Sequence, residues 1–166
     1  MKRVIFTGIC IALLICCGTV FAEKAAVPNP WTETGPKGFV IATGLDMHVP
    51  EGAEDVIYRV NRFDKLGEIQ FVLDGISFTA RIKAVFPEED ISGLYYTWES
   101  EEEVSISYCP GKTFRAKDGE NTVDLCLWYD VVPGVMYSLS CSAPDLDGFD
   151  ITAVAEQVFF PLQGEA

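Results

Sequence analysis

The stretch DLCLWYDVVPGVMYSLSCS, Asp124 to Ser142, reads as two strands folded about Pro133-Gly134 with a cysteine on each arm. If Val132 opposes Val135, Cys126 faces Cys141, and these two share a face with Trp128 and Leu139. Leu125, Leu127 and Tyr129 then line the other face opposite serines 142, 140 and 138. An arm that is apolar on both faces belongs inside a sheet with cover on each side. In that register a two-residue loop sets the cysteine Cα atoms about 5.5 Å apart and a four-residue loop, Val132 to Val135, about 4.5 Å. A three-residue loop slips the register by one and separates them. Pro-Gly favours a type II turn, whose twist suits a two-residue hairpin poorly, so the longer loop is expected. Cys126–Cys141 is therefore a candidate disulfide, and a pair of small buried hydrophobes is the alternative.

The same alternation continues on both sides of this hairpin. Upstream, DVIYRVNRF (55–63), EIQFVLDG (68–75) and ISFTARIKAV (76–85) read as strands, with Asp74-Gly75 as a tight hairpin turn. LYYTWES (94–100), EVSISY (103–108) and KTFRAK (112–117) follow, and DGEN (118–121) is a turn. Downstream, Ile151, Val154, Ala155, Val158 and Phe159 fall on one helical stripe, with Asp150 placed as N-cap and Pro161 as a stop. TETGPKGFVIATG (32–44) is expected to hold a short helix stopped by Gly44. The fold class is α+β: about eight strands of predominantly antiparallel sheet, a C-terminal helix and a short N-terminal one.

The N-terminus sets the compartment. Lys2 and Arg3 precede seventeen largely apolar residues, Val4 to Val20, and Val20-Phe21-Ala22 has the small-residue spacing of a cleavage site. That is the design of a secretory signal peptide, residues 1–22, and it predicts an extracytoplasmic or secreted protein. Residues 23–30 read as a linker and 31–166 as one globular domain, a length that suits a single core. Leu14-Ile15-Cys16-Cys17 is similar to the lipobox of bacterial lipoproteins, except that Cys16 stands where Gly, Ala or Ser is usual. Lipidation of Cys17 would anchor the domain to the outer face of a membrane.

Charge narrows the partners. The chain carries 25 acidic and 12 basic residues; losing Lys2 and Arg3 with the leader leaves a formal charge of −15. Such a surface repels nucleic acid and anionic headgroups, so membrane contact is expected only through a lipid anchor. Charge of this kind also keeps an exported domain soluble.

Candidate chemistry is sparse. With three cysteines left in the mature chain, at most one internal bridge forms. Cys109 in SYCPGK, near Lys112 and at a strand end, is the expected exposed thiol. His48, the only histidine, is expected on a strand surface, and no Gly-x-Ser-x-Gly elbow accompanies it. Asp145, Asp147 and Asp150 in DLDGFD are weak calcium candidates, because Phe149 holds the fifth position of the loop and Gly148 comes early. A turn with a helix cap accounts for the same run without an ion. Paired carboxylates would allow a hydrolase, yet abundance singles out no pair. Tyr95, Tyr96 and Trp98 form a candidate ligand platform, with at least part of this aromatic set expected in the core.

Asn29-Pro30-Trp31, VPEGAEDVIYRV (49–60), DISGLYYTWE (90–99), LWYDVVPGVMYSLS (127–140) and APDLDGFDITAVAEQVF (143–159) together resemble a family of small exported proteins of unknown function from anaerobic Gram-positive bacteria. The likeness covers most of residues 29–160. Many members begin with a lipobox, which the resemblance extends to Cys17, and such organisms use few disulfides, which argues against a bridge. The closing segment is also similar to that of extracytoplasmic α+β domains appended to membrane or cell-wall proteins. The family has no assigned activity, so no catalytic residue carries over. The expectation is a non-enzymatic binding or accessory domain without a cofactor, whose partner is a cell-surface protein, a peptide or a glycan. A carboxylate hydrolase and a calcium-stabilised domain are the alternatives.

Overall fold

The computed structural model describes residues 29–161. Signal peptide, cleavage site and Cys17 therefore lie outside the described residues, as do the last five. Eight strands run in chain order: β1 (Trp31–Thr34), β2 (Glu54–Asn61), β3 (Leu66–Leu73), β4 (Ile76–Ala84), β5 (Ser100–Ile106), β6 (Cys109–Asp118), β7 (Asn121–Asp130) and β8 (Val135–Ala143). Helices α1 (Pro36–Thr43) and α2 (Ile151–Val158) complete the α+β fold. All strands pair antiparallel in one sheet of order β1-β2-β3-β4-β8-β7-β6-β5. Each half is thus a four-stranded meander, and β4 meets β8 at the seam.

Both helices cover the same face. Cross-strand rows place Ile69, Ala80, Leu139, Cys126 and Thr113 in line, and Gly67, Ile82, Tyr137, Trp128 and Gly111 in the next. Phe39 of α1 and Val154, Ala155 and Val158 of α2 close over these rows to form the main core. Trp128 stacks on Tyr137, its direct cross-strand partner, at 5.1 Å and 6°. Gly67 is required here: a Cβ would stand 2.5 Å from the Phe39 ring. Asp150 caps α2 by accepting the Thr152 N–H at 2.9 Å, and Gly44 ends α1 in the left-handed region with φ 75°, as the sequence predicts.

Three expectations change. LYYTWES is not a strand; the eighth strand is Trp31–Thr34, at the front of the segment read as helix. The central hairpin closes at Asp130↔Val135 around Val131–Gly134, so Cys126 faces Leu139 and Cys141 faces Asp124. The predicted faces survive because the register moves by an even number of residues. The loop starts one residue early because Gly134, at φ 68°, donates its N–H back to the Asp130 carbonyl at 3.0 Å.

All three described cysteines are free and buried, including Cys109, which is 1% exposed instead of accessible. Burial pushes each thiol up to about 12. Because the folded pKa is raised, the stabilisation is complete below the unfolded thiol range near 8.5 and is lost as pH climbs towards 12. Alkylating reagent at pH 7–8 is expected to leave the peptides bearing Cys109, Cys126 and Cys141 untouched in the native protein and to modify all three after denaturation. Native labelling detected by peptide mass mapping would contradict the buried placement.

Candidate functional site

The sheet's second face is covered by chain instead of helix. From the end of β4 at the sheet centre, residues 85–99 cross over β8, β7 and β6 to reach β5 at the edge. This strap is not a strand; several of its backbone groups bind locally or to side chains of the sheet. Asp90 accepts the Ser92 N–H at 2.7 Å, and Ser92 Oγ accepts the Leu94 N–H at 3.2 Å. Gly93 sits at φ 67° with Arg81 Nη1 2.6 Å from where a Cβ would be. Arg81 donates from below to the Ile91 carbonyl at 3.3 Å and to that of Ser92. Its Nε lies 2.8 Å from Glu68, a carboxylate whose side chain is only 4% exposed, and its guanidinium stacks 5.4 Å from the Trp31 ring. Ile91 packs on Tyr129 and Met136, and Val85 closes the strap's start by donating its N–H to Gly134 and accepting from the Tyr129 hydroxyl.

Between this strap and the β5–β7 strands lies a cleft of about 730 Å³. Leu127, Tyr129 and Met136 supply apolar surface, while Glu88, Glu89 and Asp90 stand on one side and Glu103 on the other. Lys112 also lines it, but its ammonium is held by Glu101 at 2.6 Å. That hydrogen bond, with Glu103 and Glu88 adding to the field, raises its pKa and keeps it charged. Lys83 is likewise paired, with Glu89. Five carboxylates (Glu88, Glu89, Asp90, Glu101, Glu103) therefore meet two cations, a formal balance of minus three. A second, smaller cavity of about 450 Å³ lies on the helix-covered face beside Arg115, Asp124 and the start of α2.

The aromatic run does not make one flat platform. Tyr95 is exposed, whereas Tyr96 donates its hydroxyl to Asp118 at 2.9 Å and meets Trp98 edge-on, and Trp98 leans on Phe114 of β6. The hydrogen bond to Asp118 raises the Tyr96 pKa and holds the phenol protonated. None of the three lines the cleft. His48 is exposed but outside any strand; its ring meets Phe160 edge-on at 4.8 Å, and its backbone N–H donates to the Val158 carbonyl.

The acidic candidates have local duties. Asp145 accepts the Asp147 N–H at 2.9 Å and Asp150 caps α2. Among the described residues no group of three or more potential ligands is gathered about a metal position. The buried carboxylates do not converge either. Glu68 lies on the strap face with Arg81, while Asp124 lies on the helix face, clasped by Arg115 through two contacts of 2.6 Å. Asp130 accepts from Tyr108 at 3.1 Å. It shares a face with Asp124, but six residues of strand separate them by about 20 Å, beyond the 5–10 Å of glycosidase pairs. Sequence reading singled out neither Arg81–Glu68 nor Arg115–Asp124; the signal was a charged residue on strands otherwise rich in apolar neighbours.

No family model matches this chain, and neither a curated protein nor a solved structure matches it.

Proposed function

We propose that this domain is an extracytoplasmic, non-enzymatic binding module, and that its ligand is an extended peptide carrying lysine or arginine side chains. The observation that carries the reading is the cleft under the strap, apolar at its floor and acidic on both walls. A lysine or arginine stem fits such a place: its methylenes lie on Leu127 and Met136 while its charge meets Glu88 and Glu103. A neutral glycan would leave these carboxylates unmatched. The resemblance to small exported proteins agrees with this reading, and lipidation at Cys17 would hold the module at the cell surface.

A hydrolase is less well supported, since the buried carboxylates are separated and each already holds a partner. Calcium is less well supported because Asp145 and Asp150 serve the turn and the helix cap.

Calorimetric titration with a short lysine-rich peptide, an aspartate-rich control and a neutral oligosaccharide tests the proposal. Only the basic peptide is expected to bind, more weakly as salt rises. E88K/E103K is expected to weaken binding at least about tenfold, or 1.4 kcal/mol. Both positions are solvent-exposed, so the fold is expected to survive. Equal binding of the acidic control, or indifference to the double substitution, would sink the reading.

A further inference from the structure

The two ends of the sheet differ in chemistry. At one end stand the β3–β4 turn, Asp74-Gly75, the β6–β7 turn around Asp118, Gly119 and Glu120, and the Asp145–Asp147 turn that follows β8. Every one of these carries a carboxylate. The other end gathers the β2–β3 turn, where Phe63 stands among Arg62, Asp64 and Lys65, the strap start with Phe86, the β5–β6 turn with Tyr108, and the β7–β8 turn Val131-Val132-Pro133-Gly134, which alone has no polar side chain. Phe63, Phe86 and Val132 are 87, 90 and 91% exposed, and Val131 and Tyr108 about two-thirds as much at 62 and 61%. Five of the ten exposed large hydrophobics among the described residues thus crown one end of one sheet. Hairpin tips are where polar turn residues normally stand, so an apolar set there marks a contact surface.

The strand register also fixes where the chain enters. Trp31 pairs with Asn61, the residue at which β2 runs into the Phe63 turn, so Asn29 and Pro30 lead in at this same end. The apolar run Val4–Val20 precedes them in the sequence.

We infer that this end of the sheet seats the domain on a lipid bilayer, with Phe63, Phe86, Val131 and Val132 dipping into the headgroup layer and the acidic end facing outward. Loop tips bearing Phe and Val gain from leaving water at the acyl boundary, and Tyr108 and Trp31 are residue types that favour that depth. The surface takes zwitterionic lipid better than anionic lipid, because Glu88–Asp90 begin two residues after Phe86 and repel anionic headgroups. A second copy meeting end to end is the competing occupant.

Hydrogen–deuterium exchange of the full chain, with and without phosphatidylcholine vesicles, decides the matter. Peptides covering 62–65, 107–108 and 131–134 are expected to slow at least about tenfold with vesicles, while those covering 74–75 and 118–121 stay unchanged. In F86S/V131S/V132S the vesicle-dependent slowing is expected to vanish. Unchanged exchange at both ends, slowing at the acidic end, or slowing that survives the triple substitution would each overturn the inference. So would slowing that appears without vesicles as protein concentration rises, since that means copies meeting each other. The cleft titration reads out independently, so the two conclusions stand or fall apart.

Discussion

Arg81→Ala is expected to lower the free energy of unfolding by about 3 kcal/mol, because it leaves the Glu68 carboxylate buried without its closest cation. The Glu68 side chain is 4% exposed; Arg81 approaches it at 2.8 Å, and Arg59 remains at 3.8 Å as a poorer substitute. That second cation keeps the expected loss at the lower edge of the range for broken buried pairs. The same substitution removes the donors to the Ile91 and Ser92 carbonyls and the face-on contact with Trp31. The strap then loses its central tie, and the cleft loses a fixed wall. Arg81→Lys keeps the charge but cannot reach the carboxylate and the strap carbonyls at once, so it is expected to restore only part of the loss. Urea unfolding followed by far-UV circular dichroism measures this. A midpoint shift worth less than about 1 kcal/mol would mean that Glu68 is adequately held by Arg59 alone.

Phe39→Ala is expected to cost about 3–5 kcal/mol, the range for emptying a buried aromatic site. Phe39 is fully buried, its ring lies over Gly67, and Tyr58 meets it edge-on at 5.7 Å. An eight-residue helix does not hold together alone, so α1 depends on its buried side chains, of which Phe39 is the largest and Thr43 and Ala42 are the smaller companions, for its docking on the sheet. Gly67→Ala approaches the same contact from below. Its added methyl meets the ring at 2.5 Å and is expected to cost about 1–3 kcal/mol by overpacking. Thermal unfolding of the two variants and their combination checks the assignment. Because truncating Phe39 vacates the space that the new methyl needs, the double variant is expected to be less destabilised than the sum of the singles. Strict additivity would show that the two sites do not touch.

Much of the fold was legible because its strands alternate and its punctuation is conventional. Asp74-Gly75, Gly44 and Asp150 do what their chemistry favours, and ISFTARIKAV displays its buried and wet faces in plain order. LYYTWES misled because its aromatic richness signals sheet burial without saying whether the chain joins the sheet or lies across it. Trp31–Thr34 was missed because Gly35 and Pro36 follow it closely, and a four-residue edge strand leaves little periodicity to detect. The cysteine register depended on which residue closes the Val131–Gly134 loop, a choice made by the Gly134 backbone instead of by any side-chain pattern. The cleft was legible only in part. Pro87-Glu88-Glu89-Asp90 is visibly acidic in the sequence, but that it faces Glu103 across Leu127 and Met136 follows from the route of the strap, which is a non-local fact.

The last strand of the described residues is also the keystone of the sheet. β8 lies between β4 and β7, so neither meander has its full set of neighbours until β8 is in place. In a chain that emerges N-terminus first, β4 and β7 each wait with a bare edge, and Ser77 through Ala84 find their partners only when Val135–Ser142 arrives. A chain halted before that point has two half-sheets and no seam, so the pairing of β8 is the step that turns them into one sheet.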